Sequence, residues 1–131
     1  MNTDLSPVTV YLVEDSVVVR QRLQAMVAEV AGLQVVGAAE DAASAAAAIR
    51  DLQPHVVILD LQLTTGTGFD VLEQVEHDQL DPVVVVLTNH ASPAYRERCL
   101  KAGAAFFFDK STQLERLGDV LKNLGQAGPR N

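Results

Sequence analysis

The chain has 131 residues, 48% hydrophobic and 21% charged, which is the size of one domain with enough core to fold unaided and too little charge for disorder. Its net charge of −7 and pI near 4.7 disfavour direct binding to nucleic acid or anionic membrane and leave room for a cation site built from carboxylates. A single cysteine, Cys99, excludes an internal disulfide, residues 1–7 carry no cationic-then-apolar leader, and no apolar run approaches the roughly 20 residues of a membrane span, so cytoplasm is the expected compartment.

Val8 to Val13 reads as a β-branched strand broken by Glu14-Asp15-Ser16, and Ser16 is placed to cap a helix with Val19, Leu23, Met26 and Val30 at helical spacing. Gly32 is expected to close that helix, and Leu33 to Ala38 forms a second strand. Ala42 to Leu52, with its alanine run, is a second helix that Pro54 ends. Val56 to Leu59 is an apolar strand that stops abruptly at Asp60, followed by a polar loop with Gly66 and Gly68. Phe69, Leu72 and Val75 mark a third helix. Val83 to Leu87 is a fourth strand ending in Thr88-Asn89-His90, and Ser92-Pro93 starts a helix that Gly103 stops. Ala104 to Phe108 is a fifth strand leading to Asp109-Lys110. Thr112 with Glu115 has capping-box spacing for the last helix, whose inner face is Leu114, Leu117, Leu121 and Leu124, and Gly125 to Asn131 reads as a tail.

Strand and helix thus alternate five times, the pattern of a doubly wound α/β sheet in one domain over residues 1–131, with its core in about 8–124. Right-handed crossovers put the carboxyl end of every strand on one edge, so Glu14-Asp15, Asp60, Thr88 and Lys110 are expected to converge there. Three carboxylates held together call for a hard divalent cation, Mg²⁺ or Mn²⁺, and such a site suits phosphate. His55, His77, His90 and Cys99 have no transition-metal spacing. Asp60 is the candidate nucleophile toward phosphorus, with Lys110 as fixed positive charge and Thr88 as hydroxyl donor. Taken singly, Glu14 and Asp15 could serve only the first helix's amino end, Thr88 a turn and Lys110 an exposed position.

The ordered set Glu14-Asp15, Asp60, Thr88, Phe107 and Lys110 resembles the receiver domain of two-component response regulators, of the single-domain, chemotaxis-regulator-like kind. The resemblance implies a flavodoxin-like five-stranded parallel sheet in order 2-1-3-4-5. It implies phosphorelay signalling, in which Asp60 accepts a phosphoryl group from a histidine kinase or histidine phosphotransfer protein. It further implies a divalent ion held by Glu14, Asp15, Asp60 and the backbone carbonyl of Gln62, phosphoryl contacts from Thr88 and Lys110, and a switch that pairs Thr88 with Phe107. A downstream protein would bind the surface of the fourth helix, fifth strand and fifth helix, and a phosphorylation-dependent dimer stays open. Phe107 also has a plain reading as a core residue of the fifth strand.

Departures from the family pattern are Thr64 and Ser111, where proline is usual, and Asn89, where a small residue is usual. Thr64 is expected to loosen the loop after Asp60, a trans Lys110–Ser111 bond is expected, and Gln62, Asn89 and His90 are expected to tune phosphate loss. Two other classes compete: an aspartate-nucleophile phosphatase, for which D-x-D is wanted where the chain has Asp60-Leu61-Gln62, and a flavin module, for which a phosphate-cradling loop is wanted where it has Glu14-Asp15.

Overall fold

The first strand, β1 (Val8–Val13), is the starting point from which the chain winds outward in both directions. In a computed structural model that describes residues 6–128, it is followed by α1 (Val17–Ala28), β2 (Leu33–Ala39), α2 (Ala42–Leu52), β3 (Val56–Leu59), α3 (Gly68–His77), β4 (Val83–Thr88), α4 (Pro93–Lys101), β5 (Phe106–Asp109) and α5 (Leu114–Ala127). The five strands form one sheet in the order β2-β1-β3-β4-β5, all pairs parallel, as expected.

Because side chains alternate across a strand, each inner strand feeds two cores. Tyr11, Val13, Val57, Leu59, Val84, Val86 and Phe107 pack toward Ile49 of α2, Val71 and Leu72 of α3 and Cys99 of α4. Val10, Leu12, Ile58, Val85, Leu87 and Phe108 pack toward Leu23 and Val27 of α1 and Leu117 and Leu121 of α5. Strands buried on both faces explain the continuous apolar runs in the sequence. Among the described residues, no helix is long and apolar enough to cross a membrane.

Two caps are as expected, Ser16 Oγ accepting from Val19 N–H and Ser92 Oγ from Tyr95 N–H, and the structure adds a reciprocal capping box of Thr67 and Asp70 at α3. The expected box at Thr112 and Glu115 is absent. Asp109 winds the chain into a turn by accepting from the Ser111 N–H and hydroxyl, so the cap position falls one residue later, at Gln113, which makes no side-chain cap bond, and the helix starts at Leu114. Those bonds from Ser111 also hold the Asp109 carboxyl below the usual carboxylate range.

Gly32 does not close α1. That helix ends at Ala28 with Glu29 as its cap, and Gly32, at φ +89°, turns the chain into β2. Nor does the tail begin at Gly125: α5 continues to Ala127, because Gly125 lies against the carbonyl of Ala31 in a gap where a Cβ would come within 2.7 Å of that oxygen. β5 begins at Phe106 rather than Ala104, and β2 runs on to Ala39. Residues 129–131 of the expected tail lie outside the described residues.

Candidate functional site

In-register pairing sets Val13, Leu59 and Val86 side by side on adjacent strands. The chain then leaves the sheet at Glu14 and Asp60, whose amides extend the ladder by donating to Ala39 and Val13 carbonyls at 3.0 Å. Lys110 N–H does the same to Thr88 at 2.9 Å. The polar residues at the strand ends are therefore brought to one edge by the topology.

Asp60 is 7% exposed. Its Oδ1 accepts from Leu61 N–H at 2.7 Å and Gln62 N–H at 3.4 Å, and its Oδ2 accepts from Lys110 Nζ at 2.8 Å. Glu14, 2% exposed, is held equally firmly: Oε1 by Lys110 at 2.8 Å and Oε2 by Ser16 N–H at 3.0 Å. Lys110 thus bridges two acids with one ammonium. Asp15 is exposed beside them.

Burial raises the Glu14 carboxyl above its ordinary value, opposed by the hydrogen bond and charge of Lys110 and the Ser16 amide, and reinforced by the charge of Asp60. For Lys110, burial acts to lower the ammonium, but the hydrogen bonds and charges of Asp60 and Glu14 together outweigh it and hold the group above the usual lysine value. Both carboxylates favour the cation.

The loop after Asp60 is shaped by close packing. At Gly68, the first residue of α3, a Cβ would overlap the Asp60 carbonyl oxygen and lie 3.0 Å from Leu61 Cα. Gly66 adopts φ +77° and leaves no room for a Cβ, which would come 2.6 Å from Ala42 Cβ. The expected looseness at Thr64 is offset by a bond proline could not make: Thr64 N–H donates to the Glu40 carbonyl at 3.0 Å. The Lys110–Ser111 peptide is trans, as expected.

A cavity of about 220 Å³ opens at this edge, lined by Glu14, Asp15, Asp60, Gln62, Asn89, His90 and Lys110 together with Ser16 and Val19. Thr88 is not part of the lining. It is fully buried behind it, with its hydroxyl accepting from His90 N–H at 3.1 Å. Phe107 is buried too, packed on the α2–α4 side of the sheet and bordering a groove between α4 and α5. Arg20 is a site neighbour that sequence reasoning missed; its Nη1 donates to the Glu14 carbonyl, and only the fold puts it there.

Among the described residues, Glu14, Asp15 and Asp60 form a metal-competent group, each offering a carboxylate oxygen within 4.8 Å of the others. An all-oxygen, anionic donor set beside a cavity with room for several waters suits a hard divalent cation.

The sequence profile of the response regulator receiver domain matches residues 10–122. The chain is 30% identical to the response regulator GacA of Pseudomonas aeruginosa, over 89% of this chain and 55% of that protein. It is 34% identical to a protein-glutamate methylesterase/protein-glutamine glutaminase of Saccharophagus degradans, over 87% of this chain and 33% of that protein. The chain therefore spans between one third and about half the length of these curated relatives. Among solved structures, the signal receiver domain of NarL from Mycobacterium tuberculosis superposes with a TM-score of 0.83 at 25% identity, covering 92% of this chain and 98% of that one. The response regulator domain of Thermotoga maritima CheB gives 0.80 at 21% identity, covering 93% and 96%, which speaks for the fold alone. With profile, relatives and topology in agreement, the chain belongs to the receiver-domain family of two-component response regulators, and so to phosphorylation-based signal transduction.

Proposed function

We propose that Asp60 is the phosphoacceptor of this receiver and that it works with a divalent ion, Mg²⁺ or Mn²⁺, held by Glu14, Asp15, Asp60 and the Gln62 carbonyl. The observation that carries the proposal is the state of the Asp60 carboxylate: buried, with one oxygen fixed by main-chain amides and the other by Lys110, inside a group of three acids. A nucleophile held in this way is oriented before its substrate arrives. One Asp60 oxygen attacks phosphorus of a phosphohistidine on the kinase or phosphotransfer protein; the P–N bond breaks, and an aspartyl phosphate remains. The bound ion supplies positive charge that lets carboxylates and phosphoryl oxygens share one site. Lys110 then shifts its donation from the free Asp60 oxygen to a phosphoryl oxygen.

Thr88 provides the read-out in this scheme. Its hydroxyl exchanges the His90 amide for a phosphoryl oxygen, and the small displacement biases the Phe107 ring, which is buried in this structure, toward one of two packings. The affected surface is that of α4, β5 and α5, which we assign to a downstream protein; self-association there is a second use of the same surface. Gln62, Asn89 and His90 line the cavity and set the access of water to the phosphoryl group. The chain acts as one unit and as a switch, with phosphotransfer and dephosphorylation confined to its own Asp60. A phosphatase for external esters has little support in a sequence that reads Asp60-Leu61-Gln62.

Intact mass after incubation with a small-molecule phosphodonor tests the proposal. One Mg²⁺-dependent phosphoryl adduct is expected on the wild type and none on Asp60→Asn. An adduct at full stoichiometry on the variant would remove Asp60 as acceptor.

A further inference from the structure

We infer that Arg20 and Glu40 are a positioning pair for the acidic site, tying the loop that bears Glu14 and Asp15 to the loop that bears Asp60 and Gln62; the role rests on the reading of that site as a divalent-cation-dependent phosphoacceptor. Arg20 Nη1, on the first turn of α1, donates both to the Glu14 carbonyl at 2.9 Å and to Glu40 Oε1 at 3.1 Å. The carbonyl it holds belongs to the peptide between the two acids. Fixing that peptide fixes the direction in which the otherwise exposed Asp15 side chain leaves the backbone.

Glu40 continues the connection. Its carbonyl accepts from Thr64 N–H at 3.0 Å, and the neighbouring Ala42 N–H donates to Thr65 at 2.9 Å, so the β2–α2 turn is bonded to the β3–α3 loop. An unbroken path therefore runs from the first acid, through Arg20 and Glu40, to the loop of the acceptor. The charges suit this task. Arg20 brings a cation close to carboxylates meant for a metal ion, and Glu40 neutralises it, so the guanidinium orients the loop without competing for the site. Glu40 is 51% exposed while Arg20 is 19% exposed. An ion pair that open on one side adds little to global stability, so its main consequence is local.

The test is Mg²⁺ affinity by isothermal titration calorimetry, with thermal midpoints alongside, for the full chain and the variants Arg20→Met, Arg20→Lys, Glu40→Gln and Arg20→Met/Glu40→Gln. Arg20→Met should weaken Mg²⁺ binding about tenfold, the low end of the loss when a group orienting a metal ligand is removed. Glu40→Gln should weaken it about threefold, on the scale of a half-exposed ion pair, with little change in midpoint. Arg20→Lys, which keeps a cationic donor, should recover most of the affinity. The double variant should bind no more weakly than Arg20→Met, because the two side chains act as one unit. Wild-type affinity in Arg20→Met, or fully additive losses in the double variant, would overturn the inference. If Arg20→Met does not fold, Glu40→Gln and Arg20→Lys decide against the wild type: wild-type Mg²⁺ affinity in Glu40→Gln overturns the pair, and weakened binding in Glu40→Gln with near-wild-type binding in Arg20→Lys supports it. Failure of the wild type itself to bind Mg²⁺ or take a phosphoryl group would overturn the phosphoacceptor reading and the pair with it, whereas wild-type binding with unaffected variants would overturn only the pair.

Discussion

Replacing Lys110 by methionine keeps the aliphatic stem and removes the ammonium that joins Glu14 to Asp60. The three side chains are 11%, 2% and 8% exposed, so water does not screen the loss. Removing one partner of a buried ion pair costs about 3–5 kcal/mol. Here Glu14 keeps its bond from Ser16 and Asp60 its bond from Leu61, which places the cost near the lower limit, about 3 kcal/mol, or roughly 10 °C in a domain of this size. The loss is pH-dependent. Burial already raises the Glu14 carboxyl above 4.5, and without Lys110 it rises further. A carboxyl whose folded value is raised favours the folded state at low pH, and that advantage disappears as pH climbs through the raised value. The variant should therefore lie close to the wild type near pH 4.5 and fall away from it toward pH 8. Mg²⁺ should narrow the gap, because three carboxylates without an internal cation gain more from an added one. Differential scanning calorimetry across this pH range, in EDTA and in Mg²⁺, reads all of these effects. Equal midpoints in EDTA at pH 8, or a Mg²⁺ response larger in the wild type than in the variant, would refute the reasoning.

Gly68→Ala should cost about 2 kcal/mol in urea unfolding and slow adduct formation, because its Cβ meets backbone of Asp60 and Leu61 that cannot swing aside; a neutral effect would mean that α3 slides freely over the acceptor. Burial pushes the Cys99 thiol from 9.0 up to about 11. The sign follows from a folded value above the unfolded one: stability is retained below pH 9.0 and lost toward pH 11, by about 2–3 kcal/mol. Urea midpoints of Cys99→Ala should fall less steeply than those of the wild type over that interval, and parallel slopes would contradict it. Ser92→Ala should cost about 1 kcal/mol, and because Cys99 is the sole buried side chain of α4, amide exchange should rise in that helix before the others.

Much of the fold was legible because two-sided burial leaves an unmistakable mark. β3 is apolar throughout, β4 up to Thr88, and β1 but for Thr9, and each run gives way to a polar residue, Asp60, Thr88 or Glu14. Topology then carried Glu14, Asp60 and Lys110 to one edge with no knowledge of contacts. Local chemistry misled where two local patterns competed. Thr112 and Glu115 have the spacing of a cap, but Asp109 and Ser111 close a turn first and shift the cap position to Gln113. Gly32 and Gly125 looked like breakers; the first serves a turn and the second a close contact within a helix. The double bridge from Lys110 and the contact of Arg20 with the Glu14 carbonyl were invisible because they depend on where loops meet. A side chain six residues past an acid carries no periodic signal.

The most direct test of the central claim is chemical trapping of the acyl phosphate. After incubation with phosphodonor and Mg²⁺, borohydride reduction should convert the modified aspartate to homoserine, and peptide mass mapping should place that conversion at position 60. The account predicts conversion at Asp60 alone, lost when Mg²⁺ is omitted. Conversion at Asp15 or elsewhere, or a phosphoryl adduct with no reducible acyl phosphate at Asp60, would contradict it.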